Sequence, residues 1–95
     1  MATNTLFISV NGSGGAALAL GTDTNARDIQ FTCTGPVYVV FDETNATTAA
    51  SSMGTKPLTL AAGNIITMPN VVMSKAFVRS QTVSATAASI MWYTP

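Results

Sequence analysis

The sequence has no histidine, a single cysteine, and very little charge: four Lys or Arg against four Asp or Glu in 95 residues. Without histidine, neither a Ser-His-Asp triad nor a Cys-His pair can be assembled. One cysteine, Cys33, makes no intrachain disulfide, and the CxxC and Cys/His spacings of a zinc site are missing. A net charge of zero leaves no basic excess to neutralise phosphates, which argues against nucleic acid and anionic membranes as partners. No apolar run approaches the ~18 residues of a membrane-spanning helix. Met1-Ala2-Thr3-Asn4-Thr5 has neither the basic nor the apolar block of a secretion signal. Synthesis and folding in a reducing cytoplasm are expected, and a pattern that begins directly after Met1 reads as a whole small gene product.

What the chain has instead is apolar and small. Residues of the hydrophobic set make up 47% of it, which excludes a disordered, charge-rich solvating chain. Its length suits one domain with a thin but continuous core. Only 8% of the residues are charged, against about 25% in an ordinary soluble domain. Thr, Ser, Ala and Asn must therefore cover most of the exterior. Such a surface is cheap to desolvate, because each ion taken out of water costs several kcal/mol. The composition thus predicts a protein that works docked against copies of itself or a larger assembly.

The dominant period along the chain is two. Leu6–Val10 reads as a strand stopped by Asn11-Gly12-Ser13-Gly14-Gly15. Ala16–Leu20 alternates weakly, and Thr22–Ala26 has turn chemistry. Ile29–Thr34 places Ile29, Phe31 and Cys33 on one face, which makes Cys33 a small core residue rather than a nucleophile. After Gly35-Pro36, Val37–Phe41 is the strongest strand; the short connection predicts an antiparallel hairpin, although Pro36 could equally open a crossover to another sheet. Asp42–Thr55 is the longest loop, of a kind that often marks a working surface. Leu58–Leu60 and Ile65–Met68 read as a second hairpin around Gly63, a residue able to take positive φ. Pro69-Asn70 is expected to turn the chain into Val71–Met73. Ala76–Ser80 and Ala85–Tyr93 are the last strands, with Ile90 and Trp92 opposite Met91 and Tyr93. The count predicts an all-β fold: one compact β-sandwich or jelly roll, spanning residues 1–95, of about eight short antiparallel strands.

No motif identifies an activity. The glycine run at 11–15 has no lysine after it to hold a phosphate. Asn11-Gly12-Ser13 and Asn45-Ala46-Thr47 match the glycosylation sequon by chance in a Thr-rich chain. Asp42 and Glu43 are adjacent, so on a strand they point to opposite faces and do not form an acid–base pair. Pairing Asp28 with Asp42 across a hairpin marks no sugar cleft, and the regular spacing of a calcium loop is absent. No cofactor, metal or catalytic residue is expected. Arg27-Asp28 and Lys75/Arg79 read as rim ion pairs or register markers of an otherwise uncharged interface. The candidate interface residues are Asp42, Glu43, Met53, Lys75, Arg79 and Tyr93, with Met53 an adaptable thioether in the long loop.

Three stretches carry a family resemblance: Gly35-Pro36-Val37-Tyr38-Val39-Val40-Phe41, Pro57-Leu58-Thr59-Leu60-Ala61-Ala62-Gly63-Asn64, and the ending from Ala76-Phe77-Val78-Arg79 through Ala88-Ser89-Ile90-Met91-Trp92-Tyr93. They resemble small virion proteins of tailed bacteriophages, and the capsid decoration (cement) proteins in particular. The resemblance implies a compact β-sandwich or jelly roll attached to the virion surface as a homo-oligomer, a trimer or dimer. There it would clamp neighbouring subunits of the major capsid protein, and no catalytic or metal residues come with it. The alternatives are a neck, tail or fibre-associated structural protein, and a small carbohydrate-binding module using Trp92 or Tyr93.

Overall fold

A computed structural model of the chain describes residues 2–41 and 58–95. The whole of the predicted 42–55 loop, with Asp42, Glu43 and Met53, lies outside the described residues. Eight strands follow one another: β1 (Ala2–Val10), β2 (Leu18–Ala19), β3 (Ala26–Cys33), β4 (Val37–Val40), β5 (Leu58–Leu60), β6 (Ile65–Val71), β7 (Phe77–Ser80) and β8 (Thr86–Thr94). A single 3-10 turn, Met73–Lys75, is the only helical element among the described residues. The strands form two four-stranded sheets, in the orders β1-β8-β3-β6 and β2-β7-β4-β5. The fold is all-β, as the period-two pattern predicts.

Pairing is antiparallel throughout: β1 with β8, β2 with β7, β3 with β6 and β4 with β5, with β8–β3 and β7–β4 completing the sheets. First pairs with last, second with seventh, and so inward, as in one long hairpin rolled up so that successive strand pairs alternate between sheets. This is jelly-roll connectivity. The core lies between the sheets, where Ile29, Phe31, Ile90 and Trp92 of the first meet Val37, Val39 and Val78 of the second, with Val10, Leu20 and Met73 among them. Cys33 is in this core and only 2% exposed. A small second cluster, Ala17, Val40 and Phe77 with Tyr38, lies on the other side of the second sheet.

Rolling up the hairpin overturns two local expectations. The Gly35-Pro36 connection does not close a hairpin: β3 belongs to the first sheet and β4 to the second, so the crossover reading of Pro36 holds. Pro36 has no N–H to give to a β3–β4 ladder, and its carbonyl accepts instead from the Gln81 N–H at 2.9 Å. The Ala61–Asn64 turn likewise carries the chain from β5 in one sheet to β6 in the other. Gly63 does adopt the left-handed φ of +80° that the turn requires. Its N–H bonds the Cys33 carbonyl at 2.9 Å, while Thr32 Oγ1 donates to the Asn64 carbonyl at 2.8 Å.

Pro69 does not turn the chain. It sits inside β6, an edge strand, where a missing N–H is tolerated. Its neighbours Asn70 and Met68 pair with Arg27 and Ile29, so Pro69 stands across from Asp28. On the other side of β3, a bulge between Arg27 and Gln30 shifts the register against β8, with Asp28 at φ +49°. The bulge lets two consecutive residues, Arg27 and Asp28, face solvent between the buried Ala26 and Ile29. The glycine run at 11–15 is docked rather than free: the Ser13 N–H bonds the Thr82 carbonyl at 2.7 Å, and a Cβ at Gly12 would run into the Val83 carbonyl oxygen.

Candidate functional site

The outer face of the first sheet is the most unusual surface of the molecule. In β1 the residues Leu6, Ile8 and Val10 pack toward the core, so Thr5, Phe7 and Ser9 point outward. Register then sets the rows across the sheet. Phe7 lies beside Ser89, Ser89 beside Thr32, and Thr32 beside Ile65. The next row is Thr5, Met91, Gln30 and Thr67. Phe7 is 78% exposed and Ile65 is 65% exposed. With the small Ser89 and Thr32 between them, the two apolar side chains wall a depression of about 180 Å³ that Met91 also lines. Neither row contains an ionised side chain. The nearest charges are Arg27 and Asp28 at the bulge, one row further on beside Tyr93. Four strands about 4.8 Å apart, with about 3.3 Å per residue along a nine-residue strand, make this face a plane of roughly 600 Å².

The structure does not bring the predicted interface residues together. Tyr93 is half-buried on this face, across from Thr3 and Arg27. Arg79 lies in the second sheet opposite Tyr38, half-buried, with its Nε buried and without a hydrogen-bond partner among the described residues. Lys75 is exposed at the end of the 3-10 turn. Asp42, Glu43 and Met53 lie outside the described residues. Phe7 and Ile65, the two residues that define the face, were missed by reading strands for their apolar content. The signal was present: once Leu6, Ile8 and Val10 share one face, Phe7 belongs to the other.

Trp92 lies in the core, 8% exposed, as its position beside Ile90 implies. Its indole Nε1 donates to Asp23 Oδ2 at 2.6 Å, and the Asp23 carbonyl accepts from the Met73 N–H at 2.8 Å. Asp23 thus ties the β2–β3 loop to the end of β8 and to the 3-10 turn. Held in this way, Trp92 presents no open ring to a sugar. Burial pushes the Cys33 thiol up from 9.0 to about 11, so it stays protonated and a poor nucleophile near neutrality. A second depression, of about 210 Å³, is lined by Thr24, Asn25, Asn70, Val71 and Val72 and has no charged group. Among the described residues no three His, Cys, Asp or Glu side chains come together to hold a metal. No helix among them is long and apolar enough to cross a membrane.

No family model matches the chain, and no curated protein is similar enough to match it. One solved structure, described under the heading that Bacillus endospore appendages form a novel family of disulfide-linked pili, is similar over 99% of this chain and 87% of that one. The two share 15% sequence identity and a TM-score of 0.48, a likeness too distant to bear on function.

Proposed function

We propose that this chain is a non-enzymatic structural protein of a tailed-bacteriophage particle, and that it decorates the capsid by bridging subunits of the major capsid protein. The observation that carries the reading is the outer face of the first sheet: two rows of side chains without an ion, walled by the exposed Phe7 and Ile65. A face of this kind can be covered by protein without the several-kcal/mol cost of stripping water from each charge. Apolar walls around a small-residue floor supply a socket for a partner side chain. A charge-poor exterior and the resemblance of three stretches to decoration proteins support the same reading.

The mechanism is thermodynamic. A protein that binds the assembled shell and not its separated subunits stabilises the shell by mass action. Repetition over a symmetric lattice adds avidity, so that each contact can be weak. A stiff β-domain serves this role because little conformational freedom is lost on docking. The test is to mix the purified protein with expanded phage heads and measure bound copies by quantitative mass spectrometry after sedimentation. Saturation at a fixed ratio to coat subunits, together with a raised disassembly temperature, is expected. Heads that sediment without the protein would sink the proposal.

A further inference from the structure

Among the described residues the two sheets have four edge strands, and three of them are blunted. The edge strand β2 has two residues and β5 has three, while β6 carries Pro69 and faces the Asp28 bulge. The fourth, β1, is nine residues long, Ala-Thr-Asn-Thr-Leu-Phe-Ile-Ser-Val, with no proline, glycine or charge. Native proteins protect long edges with lysine, proline, bulges or shortness, because an open row of N–H and C=O groups templates further pairing. None of these devices is present in β1. Among the described residues β1 pairs only with β8. Leu6 and Ile8 are only partly buried at the edge of the core, and Phe7 stands exposed between them on the opposite face. Among the described residues, three successive apolar residues are therefore left short of cover at the one edge without such a device.

We infer that β1 is the site of strand addition by a second copy of this chain, β1 against β1 across a two-fold axis, which joins two first sheets into one continuous eight-stranded sheet. A second copy fits better than a foreign strand because an isologous contact needs one self-complementary surface, and antiparallel pairing of β1 with itself is self-complementary. Full overlap of the nine residues centres the axis on Leu6. Thr5 then lies opposite the partner's Phe7, and Thr3 opposite the partner's Ser9. The two Phe7 rings become diagonal neighbours on the outer face, within reach of each other. Leu6 meets the partner's Leu6 over the exposed end of the core. The joined sheet doubles the outer face to roughly 1,200 Å², and both halves face the same way. This extends the homo-oligomer part of the function proposed above and rests on that part alone, since it holds whatever larger body the face meets.

The experiment uses the full chain, by sedimentation velocity from micromolar to millimolar concentration together with hydrogen exchange of the amides in 2–10. A concentration-dependent dimer is expected. In the monomer every second β1 amide points to the open edge and exchanges fast; in the dimer these amides become protected. Thr5→Lys with Phe7→Lys places ammonium groups opposite each other and is expected to weaken dimerisation by more than about tenfold, with the thermal midpoint of the monomer retained. Thr5→Glu with Phe7→Lys restores pairing, because a carboxylate then faces each ammonium. Met91→Lys, on the face but one strand in from the edge, leaves the dimer intact. A wild-type chain that stays monomeric throughout, or a dimer whose alternate β1 amides remain unprotected, overturns the inference. Loss of the dimer through Met91→Lys alone overturns it as well, since that result places the contact on the face. None of these outcomes depends on phage heads, so failure here is distinguishable from failure of the decoration proposal.

Discussion

Replacing Asp23 with alanine removes the acceptor for the only tryptophan of the chain. The bond is short, 2.6 Å from indole nitrogen to carboxylate oxygen, and it joins residues 69 positions apart. Hydrogen bonds to charged groups contribute about 1.5–3 kcal/mol, and a buried donor left unpaired costs about 1–3 kcal/mol. Asp23 itself is half-buried, which moderates the gain, so a loss of about 2 kcal/mol is expected. For a domain of this size that lowers the thermal midpoint by on the order of 10 °C. Asp23→Asn retains a neutral acceptor and should lose about half as much. Urea unfolding followed by tryptophan fluorescence reads the effect directly, because all of the signal comes from Trp92. An Asp23→Ala loss below about 0.5 kcal/mol, the range of ordinary surface changes, would show that the latch does not hold the β2–β3 loop to the core.

Three further outcomes follow from the geometry. Gly12→Ala should destabilise by about 1–3 kcal/mol, because the new methyl meets the Val83 carbonyl, whereas Gly14→Ala, with nothing within 4 Å of the added carbon, should be near neutral; paired thermal melts compare them. Native Cys33 should resist thiol reagents at pH 8 and react on unfolding. Its folded pKa of about 11 lies above the 9.0 of an unfolded thiol, so below pH 9 both states keep the proton and its contribution is complete. As pH rises from 9 to 11 the unfolded chain loses its proton first and stability falls by up to about 2 kcal/mol, a slope that Cys33→Ala should abolish. Phe7→Ser and Ile65→Ser should each change fold stability by less than about 0.5 kcal/mol, yet reduce occupancy on particles when measured by sedimentation.

Much of the fold was legible because alternation is local. In β3 and β8, period two alone puts Ile29, Phe31, Cys33, Ile90 and Trp92 inside, where they are buried. The positive φ of Gly63 could be read for the same reason. The destinations of the short connections were not legible. A link of three or four residues suits a hairpin or a crossover equally well, and the choice depends on pairing β1 with β8 and β2 with β7 across most of the chain. Pro69 reads as a breaker until its strand is known to be an edge facing a bulge. The candidate face was hidden for another reason. The candidate interface residues of the sequence were four charged side chains with Met53 and Tyr93, while the distinctive rows contain no charge, and Phe7 and Ile65 resemble core residues until parity is applied across the sheet.

The central claim is that the ion-free face of the first sheet is built to be covered by other protein. Hydroxyl-radical footprinting of the chain, free and bound to expanded heads, tests it most directly at Ile65 and Met91, which lie on the face outside the edge strand β1. The account predicts that both are oxidised in the free protein and shielded in the bound one, while the exposed Val83, in the β7–β8 loop, is labelled in both. Equal labelling of Ile65 and Met91 in the two states would contradict it.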